Sequence, residues 1–472
     1  MEIPKINDIM ELKIAGISFE GKGISKIKTN KNTDFVIFCD GSVTGDCIKA
    51  IITKVKRNYA DAKIIELVKP SVNRINPLCF HFGVCNGCKL QNFVYEKQLE
   101  LKRANVISAF ERIGGFINIS VPDCISTDEI YNYRNKLEFS FSNNRWLTEG
   151  DVTLSEEEKN FALGFHKPGF ADKVVDINQC HLQSDTSNNI LNFTKEFFKS
   201  RNTSIYSVKK NEGFLRYLII RQSKNTNGLM VILITFNDNE DLINKYSINL
   251  KNTHPEISTF IHGISARRAQ VAQADRYEVL WGDGYINEKL NEYTFKISPF
   301  TFFQTNTKQA EKLFKTASEF AEFNGNENVL DLYCGCGTIA IYISKLVNKV
   351  TCVELFKESI DLANENTEIN KVTNCSFIAY DVKDYLKNLA EKKDENFDVI
   401  ILDPPRSGIH PKAAEYLLEY EAPKIIYISC NPTTQARDIK LLSSKYNITN
   451  IQPIDMFPHT FHIENVVRLD IK

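Results

Sequence analysis

At 472 residues the chain is longer than one hydrophobic core usually spans, so two or three domains are expected. A formal net charge of -1 excludes a protein that is basic all over, and any nucleic-acid surface has to be one basic face. With 43% hydrophobic residues, no apolar run of membrane-spanning length and no signal-peptide core after Met1-Glu2-Ile3-Pro4-Lys5, a cytoplasmic globular protein is expected; its 12 cysteines then speak for metal or catalytic use rather than a disulfide scaffold.

Residues 11 to 68 alternate short apolar runs with turn signals: Gly16, Gly21, Gly23, Asp40-Gly41 and Gly45-Asp46. Strands are predicted at Phe35–Cys39, Cys47–Ile52 and Ala62–Leu67, which makes a small all-β barrel. Lys49, Lys54, Lys56 and Arg57 gather on and after one strand, where they either guard a sheet edge or meet phosphates.

Cys79, Cys85 and Cys88 follow, separated by five and then two residues, with Gly83 and Gly87 letting the loop fold back. Soft thiolates at this density imply zinc or an iron–sulfur cluster, and three close cysteines with a remote fourth suit the cluster better. Cys180 is the candidate fourth ligand, with Cys124 as its competitor. Lys97 to Arg112 reads as an amphipathic helix stopped by Gly114-Gly115. Residues 120 to 290 read as a mixed, strand-rich domain. Leu215–Arg221 and Gly228–Ile234 are predicted to pair antiparallel, and the acidic stretch 151–160 to be a solvated loop.

After about residue 296 strands alternate with helices, the pattern of a doubly wound parallel sheet. Asn328 to Leu332 is a buried strand running into Tyr333-Cys334-Gly335-Cys336-Gly337, and a second strand ends at Glu354, placed for a ribose. The short glycine turn suits an adenosyl ligand without pyrophosphate, S-adenosylmethionine (SAM). Asp381, after the third strand, either meets the adenine or caps a helix. The fourth strand delivers Asp403-Pro404-Pro405-Arg406, whose prolines hold Asp403 rigidly over the crevice. A further apolar strand ends in Ser429-Cys430-Asn431-Pro432, where the proline stops the strand and leaves a thiol at the ligand-binding edge of the sheet.

Taken together, Cys79…Cys85-Asn86-Gly87-Cys88, Cys180, Ser298-Pro299 with Phe302-Phe303-Gln304-Thr305-Asn306, Asp331 to Gly337, Asp403 to Arg406, Ser429 to Pro432, and Pro458-His459-Thr460 with His462-Ile463-Glu464 resemble the RNA (uracil-5-)-methyltransferases, in particular their iron–sulfur 23S ribosomal-RNA branch. The resemblance implies a Rossmann-like class I SAM-dependent methyltransferase with an N-terminal OB-like TRAM barrel and a central α+β domain. Three segments follow from it: an RNA-binding barrel at 1–70, an iron–sulfur and substrate-recognition segment at 71–295, and a catalytic domain at 296–472 against which helix 97–113 packs. It further implies a [4Fe-4S] cluster on Cys79, Cys85, Cys88 and Cys180. Donor contacts are implied at Gln304, Tyr333, Glu354 and Asp403, with Asp381 a further candidate. Cys430 is implied as nucleophile. Glu464 is favoured as base over His459 and His462. The expected reaction is methylation of carbon 5 of a uridine in 23S ribosomal RNA, the alternative being a transfer-RNA uridine. No protein partner is called for and a monomer is expected. A non-catalytic RNA-binding relative would lack the nucleophile or the base, and both are present.

Overall fold

The structure, a computed structural model, describes residues 2–30, 32–85, 87–151, 153–170, 172–392 and 394–472; Asn86 of the cysteine loop and Val152 of the acidic stretch lie outside them. The N-terminal unit is a six-stranded sheet built from β1 (Ile9–Lys13), β2 (Gly16–Ile17), β3 (Gly23–Lys28), β4 (Asp34–Cys39), β5 (Cys47–Val55) and β6 (Tyr59–Lys69), in the order β1-β5-β6-β4-β3-β2. Alternation along β4 and β5 sends Phe35, Ile37, Cys39, Ile48, Ala50 and Ile52 inward, where they form the barrel's own core. Lys54, Lys56 and Arg57 remain exposed at its far end.

Helix α1 (Tyr95–Ala109) is longer at its start than its apolar spacing predicts, and it ends in a π-turn, Phe110–Gly114, closed by Gly115 in the left-handed conformation. It buries Val106, Ala109 and Phe110 in the same core as Leu330, Tyr427 and Ile439 near the C-terminus.

A second sheet holds β7 (Lys136–Ser142), β8 (Ala162–His166), β9 (Val174–Asp176), β10 (Leu215–Gln222), β11 (Leu229–Thr235), β12 (Thr259–Ile264) and β13 (Arg276–Trp281), in the order β13-β12-β11-β10-β7-β8-β9. The expected β10–β11 pair is antiparallel. The acidic stretch is not wholly a loop, because Ser155 and Glu158 close a reciprocal capping box that starts α2 (Glu156–Lys159). One face of this sheet packs on α3 (Asp185–Lys199) and α4 (Glu240–Thr253). The other face shares a continuous core with the C-terminal sheet.

After the hairpin β14 (Ile286–Leu290) and β15 (Tyr293–Ile297), α5 (Thr307–Ala321) leads into a seven-stranded sheet. Its strands are β16 (Asn328–Leu332), β17 (Lys349–Glu354), β18 (Cys375–Ala379), β19 (Val399–Leu402), β20 (Lys424–Ser429), β21 (Tyr446–Ile454) and β22 (Glu464–Ile471), ordered β18-β17-β16-β19-β20-β22-β21. The first five are mutually parallel and β22 is antiparallel to β20. Helices α6 (Thr338–Ile343), α7 (Lys357–Ile369), α8 (Val382–Lys392), α9 (Pro411–Tyr420) and α10 (Pro432–Leu442) connect them. Strand order reverses between β16 and β19, so the crevice outside their carboxyl ends is where a ligand binds in such sheets.

Candidate active site

β20 is buried along almost its full length, and its last pairs set the site. Ser429 lies opposite Asn465 of β22, so the antiparallel register carries Cys430 opposite Glu464. Leu402 of β19 lies beside Tyr427, which brings Asp403 out of the neighbouring strand at the same edge. Three motifs separated by up to about 60 residues therefore converge because β20 is flanked by β19 and β22.

Pro432 does more than end the strand. It stands at the first position of α10, with Asn431 as N-cap: the Asn431 side chain accepts from the Thr433 N–H at 3.1 Å. Cys430 thus lies just ahead of a helix N-terminus, whose dipole favours a thiolate. The mount beneath is rigid. Tyr427 donates to Asp438 at 2.7 Å, and Gln435 donates to the Tyr427 carbonyl at 2.9 Å and to that of Asn465 at 3.1 Å.

Burial pushes the Cys430 thiol up to about 11, with the carboxylates of Glu464 and Asp403 adding to the rise and Arg406, which hydrogen-bonds the sulfur, opposing it. Burial likewise raises Glu464 well above the ordinary carboxylate range, reinforced by Asp403 and opposed by Arg406, and it lifts Asp403 to about 7. Among the described residues Arg406 is consequently the cation acting on both the thiol and Glu464, and its guanidinium also donates to His462 Nδ1 at 3.2 Å. Since the thiol titrates above neutrality, its reactive fraction grows about tenfold per pH unit below that point. Alkylation of Cys430 by iodoacetamide, followed on its peptide by mass spectrometry, is expected to accelerate by that factor per unit from pH 7 to 9; a flat profile would show a thiolate already formed.

The two histidines offered as alternative bases are held neutral, both lowered to about 4 chiefly by burial. His462 Nδ1 is engaged by Arg406, and His459 Nδ1 accepts from Gln98 at 3.3 Å while its ring stacks on Tyr131 at 4.4 Å. Neither presents a free acceptor on that nitrogen.

The donor crevice is built around the turn after β16. Asp331 is buried, neither carboxylate oxygen has a partner at hydrogen-bond geometry, and desolvation with Asp403 and Glu354 nearby holds its titration well above normal. Tyr333 occupies the left-handed region at φ 64°, a conformation that costs a non-glycine residue free energy and collects at ligand sites. Gly337 is required both for its φ of 78° and because a Cβ would meet the Phe377 ring at 2.8 Å. Glu354 reaches back to accept from the Gly335 N–H at 3.3 Å while its other oxygen holds the Leu355 N–H at 2.8 Å. Asp381 accepts from the Asp384 N–H at 3.1 Å, so one of its oxygens caps α8. Gln304 is buried in the segment before α5, its carbonyl held by Asn135 at 2.8 Å. A buried acid without a hydrogen-bond partner, a cradle that admits no Cβ and the neighbouring carboxyl groups of Asp331, Glu354 and Asp403 fit a cationic donor such as SAM.

The cysteines of the N-terminal half also gather. Burial pushes Cys85 and Cys88 up to about 12, and each feels the charge of Cys79 and Cys180; Cys79 and Cys180 are raised for the same reason. Backbone N–H groups face the sulfurs, from His81 and Phe82 at Cys79, Gly87 at Cys85, and Leu182 and Gln183 at Cys180. Cys124 lies elsewhere, beside Asp455 and Lys102. Among the described residues no three side chains converge on a single metal ion. The four thiols lie near enough to feel one another's charge, with backbone donors facing three of them.

Comparison with known proteins follows the same lines. Residues 5–65 match the TRAM domain and residues 223–472 match the family described as tRNA (Uracil-5-)-methyltransferase. The chain belongs to the tRNA (uracil-5-)-methyltransferase family. A relative from Bacteroides thetaiotaomicron, named as an uncharacterized RNA methyltransferase, is 39% identical over 96% of this chain and 99% of its own length. One from Clostridium acetobutylicum, similarly named, is 35% identical over the whole of both chains. Among solved structures, the Pyrococcus abyssi tRNA (uracil-54, C5)-methyltransferase in complex with S-adenosyl-L-homocysteine superimposes with a TM-score of 0.74 at 30% identity, covering 98% of this chain and 99% of that one. The fold is accordingly a class I SAM-dependent methyltransferase preceded by an all-β TRAM barrel, and the protein is an RNA methyltransferase of this family. Among the described residues no helix is long and apolar enough to cross a membrane.

Proposed function

We propose that the protein methylates carbon 5 of a specific uridine in 23S ribosomal RNA through a covalent bond between Cys430 and the base. The observation that carries the chemistry is the pairing of Cys430 with Glu464 across β20 and β22, with Arg406 between them in charge. Carbon 5 of uracil is too weak a nucleophile to take a methyl group unaided. The Cys430 thiolate adds to carbon 6, breaking the 5,6 double bond and placing an electron pair on carbon 5; Arg406 favours the thiolate that does so. SAM, when bound, supplies the electrophilic methyl that carbon 5 then attacks. Asp403, Glu354, Tyr333 and Gln304 would hold the donor, and Asp381, one oxygen of which caps α8, would meet the adenine with the other. Glu464 removes the hydrogen from carbon 5, the electron pair of that bond re-forms the double bond, and the carbon–sulfur bond breaks to return the thiolate. A raised carboxyl suits the task, because desolvation makes the carboxylate a stronger base than one in water, while Arg406 favours its ionised form. The target base has to leave its stack, since carbons 5 and 6 are otherwise covered.

Cys79, Cys85, Cys88 and Cys180 would hold a [4Fe-4S] cluster, and Cys124 takes no part. Protein prepared without oxygen is expected to be brown and to carry about four irons, and Cys88→Ser to lose both iron and colour; zinc in elemental analysis would refute the reading.

The cysteine set favours ribosomal RNA by its resemblance to that branch. The full-length similarity to the Pyrococcus enzyme supports a second reading, a transfer-RNA uridine. Mass mapping of 5-methyluridine in both RNA pools from a deletion strain decides between them. Loss from a 23S fragment, restored by the intact gene, is the expected result, and loss confined to transfer RNA would overturn it.

A further inference from the structure

The segment that delivers Glu464, residues 455–463, joins β21 to β22, and much of its anchoring comes from residues some 360 positions earlier. Asp455 and Lys102 of α1 form an ion pair at 2.5 Å with both side chains fully buried. Lys102 donates again to the Phe457 carbonyl at 3.0 Å, Asp455 accepts from the Phe457 N–H at 3.0 Å, and Tyr95 donates to its other oxygen at 2.9 Å. One α1 turn earlier Gln98, also buried, works in both directions. Its oxygen accepts from the His459 N–H at 2.9 Å, and its nitrogen donates to His459 Nδ1 and to the carbonyls of Leu90 and Phe93 at 2.9 and 2.7 Å. The N–H groups of Lys89 and Leu90, just after Cys88, both donate to the His459 carbonyl at 2.9 Å.

His459 needs this hold. It sits at φ 66°, a left-handed conformation that a residue with a Cβ keeps only when its surroundings impose it. The turn it occupies then fixes the rest of the loop: the Thr460 side chain donates to the Phe457 carbonyl at 2.8 Å and accepts from the His462 N–H at 3.2 Å. His462 in turn accepts from Arg406, the cation acting on Cys430 and Glu464.

We infer that Gln98 and Lys102, on the helix ahead of the central domain, are positioning residues that set the reach of Glu464 through His459 and Asp455. The inference rests on Glu464 being the base. It separates from a merely structural role because a misplaced base leaves thiolate addition and methyl transfer intact while slowing removal of the carbon-5 hydrogen. The methylated cysteine–uracil adduct should then accumulate.

The test incubates the full-length protein with methyl-labelled SAM and bulk RNA from a deletion strain, and measures turnover and the fraction of protein in a labelled, denaturation-resistant adduct. Gln98→Leu is expected to lower turnover at least tenfold, raise the steady-state adduct fraction at least fivefold, and leave the KM for SAM within twofold. Should that variant fail to fold, Lys102→Met combined with Asp455→Asn, which removes both buried charges together, carries the same expectation. Turnover falling with the adduct fraction unchanged overturns the inference. Glu464→Gln is run alongside: if it accumulates adduct and the α1 variants do not, the inference alone fails, and if it does not, the base assignment and the inference fall together.

Discussion

Cys430→Ala is expected to abolish methyl transfer, by roughly 10⁴-fold or more, and to abolish the covalent RNA complex with it. The size follows from the chemistry. Without a thiolate on carbon 6 there is no electron pair on carbon 5, so what is lost is the reaction path rather than a fraction of its stabilisation. The loss should be specific. Cys430 is only partly buried and lies at the end of β20, outside the cores formed by Tyr427, Ile426 and Ile428, so truncating it to alanine leaves no large cavity. Donor binding, set by the crevice after β16, should be within twofold of normal by calorimetry. Retained methyl transfer in the variant would remove Cys430 from the mechanism.

Glu464→Gln separates the two halves of the reaction. Glutamine keeps the size of the side chain in a buried position but cannot take a proton, so turnover is expected to drop by about 10²–10⁴-fold. A first methyl group is nevertheless transferred, and a band of slowed mobility persists in denaturing gels when labelled SAM is used. The neutral side chain also takes away one of the two carboxylates that raise the Cys430 thiol, so adduct formation itself should be no slower than in the wild type. Rapid, complete product release from this variant would transfer the role of base to another group. His459 and His462 are poor heirs, because each has its Nδ1 already engaged.

Much of this was legible in the sequence wherever one local pattern dictated one local structure. The glycine turn after β16, the carboxylate ending β17 and the Asp-Pro-Pro-Arg exit of β19 are each fixed by neighbours within a few residues. Asp381 was readable in two ways, and its capping of α8 is now seen directly. Asn431-Pro432 both ends β20 and starts α10, and a cap followed by proline is the sequence signal of that helix start. What could not be read was how distant pieces meet. That Cys430 faces Glu464 depends on β22 returning antiparallel beside β20, and that Lys102 pairs with Asp455 depends on α1 crossing to the far unit. Neither has a sequence period. Tyr333 and His459, both held at positive φ, carry no mark in the sequence either, because their strain is imposed by the folded surroundings.

The central claim is that the uracil is held by Cys430 while Glu464 waits to release it. The most direct measurement is peptide mapping of the adduct formed by Glu464→Gln with labelled SAM, after nuclease digestion of the RNA and proteolysis. A methylated uridine attached to the peptide containing Cys430 is the predicted result. Label on any other cysteine, or no adduct on any peptide, would contradict it.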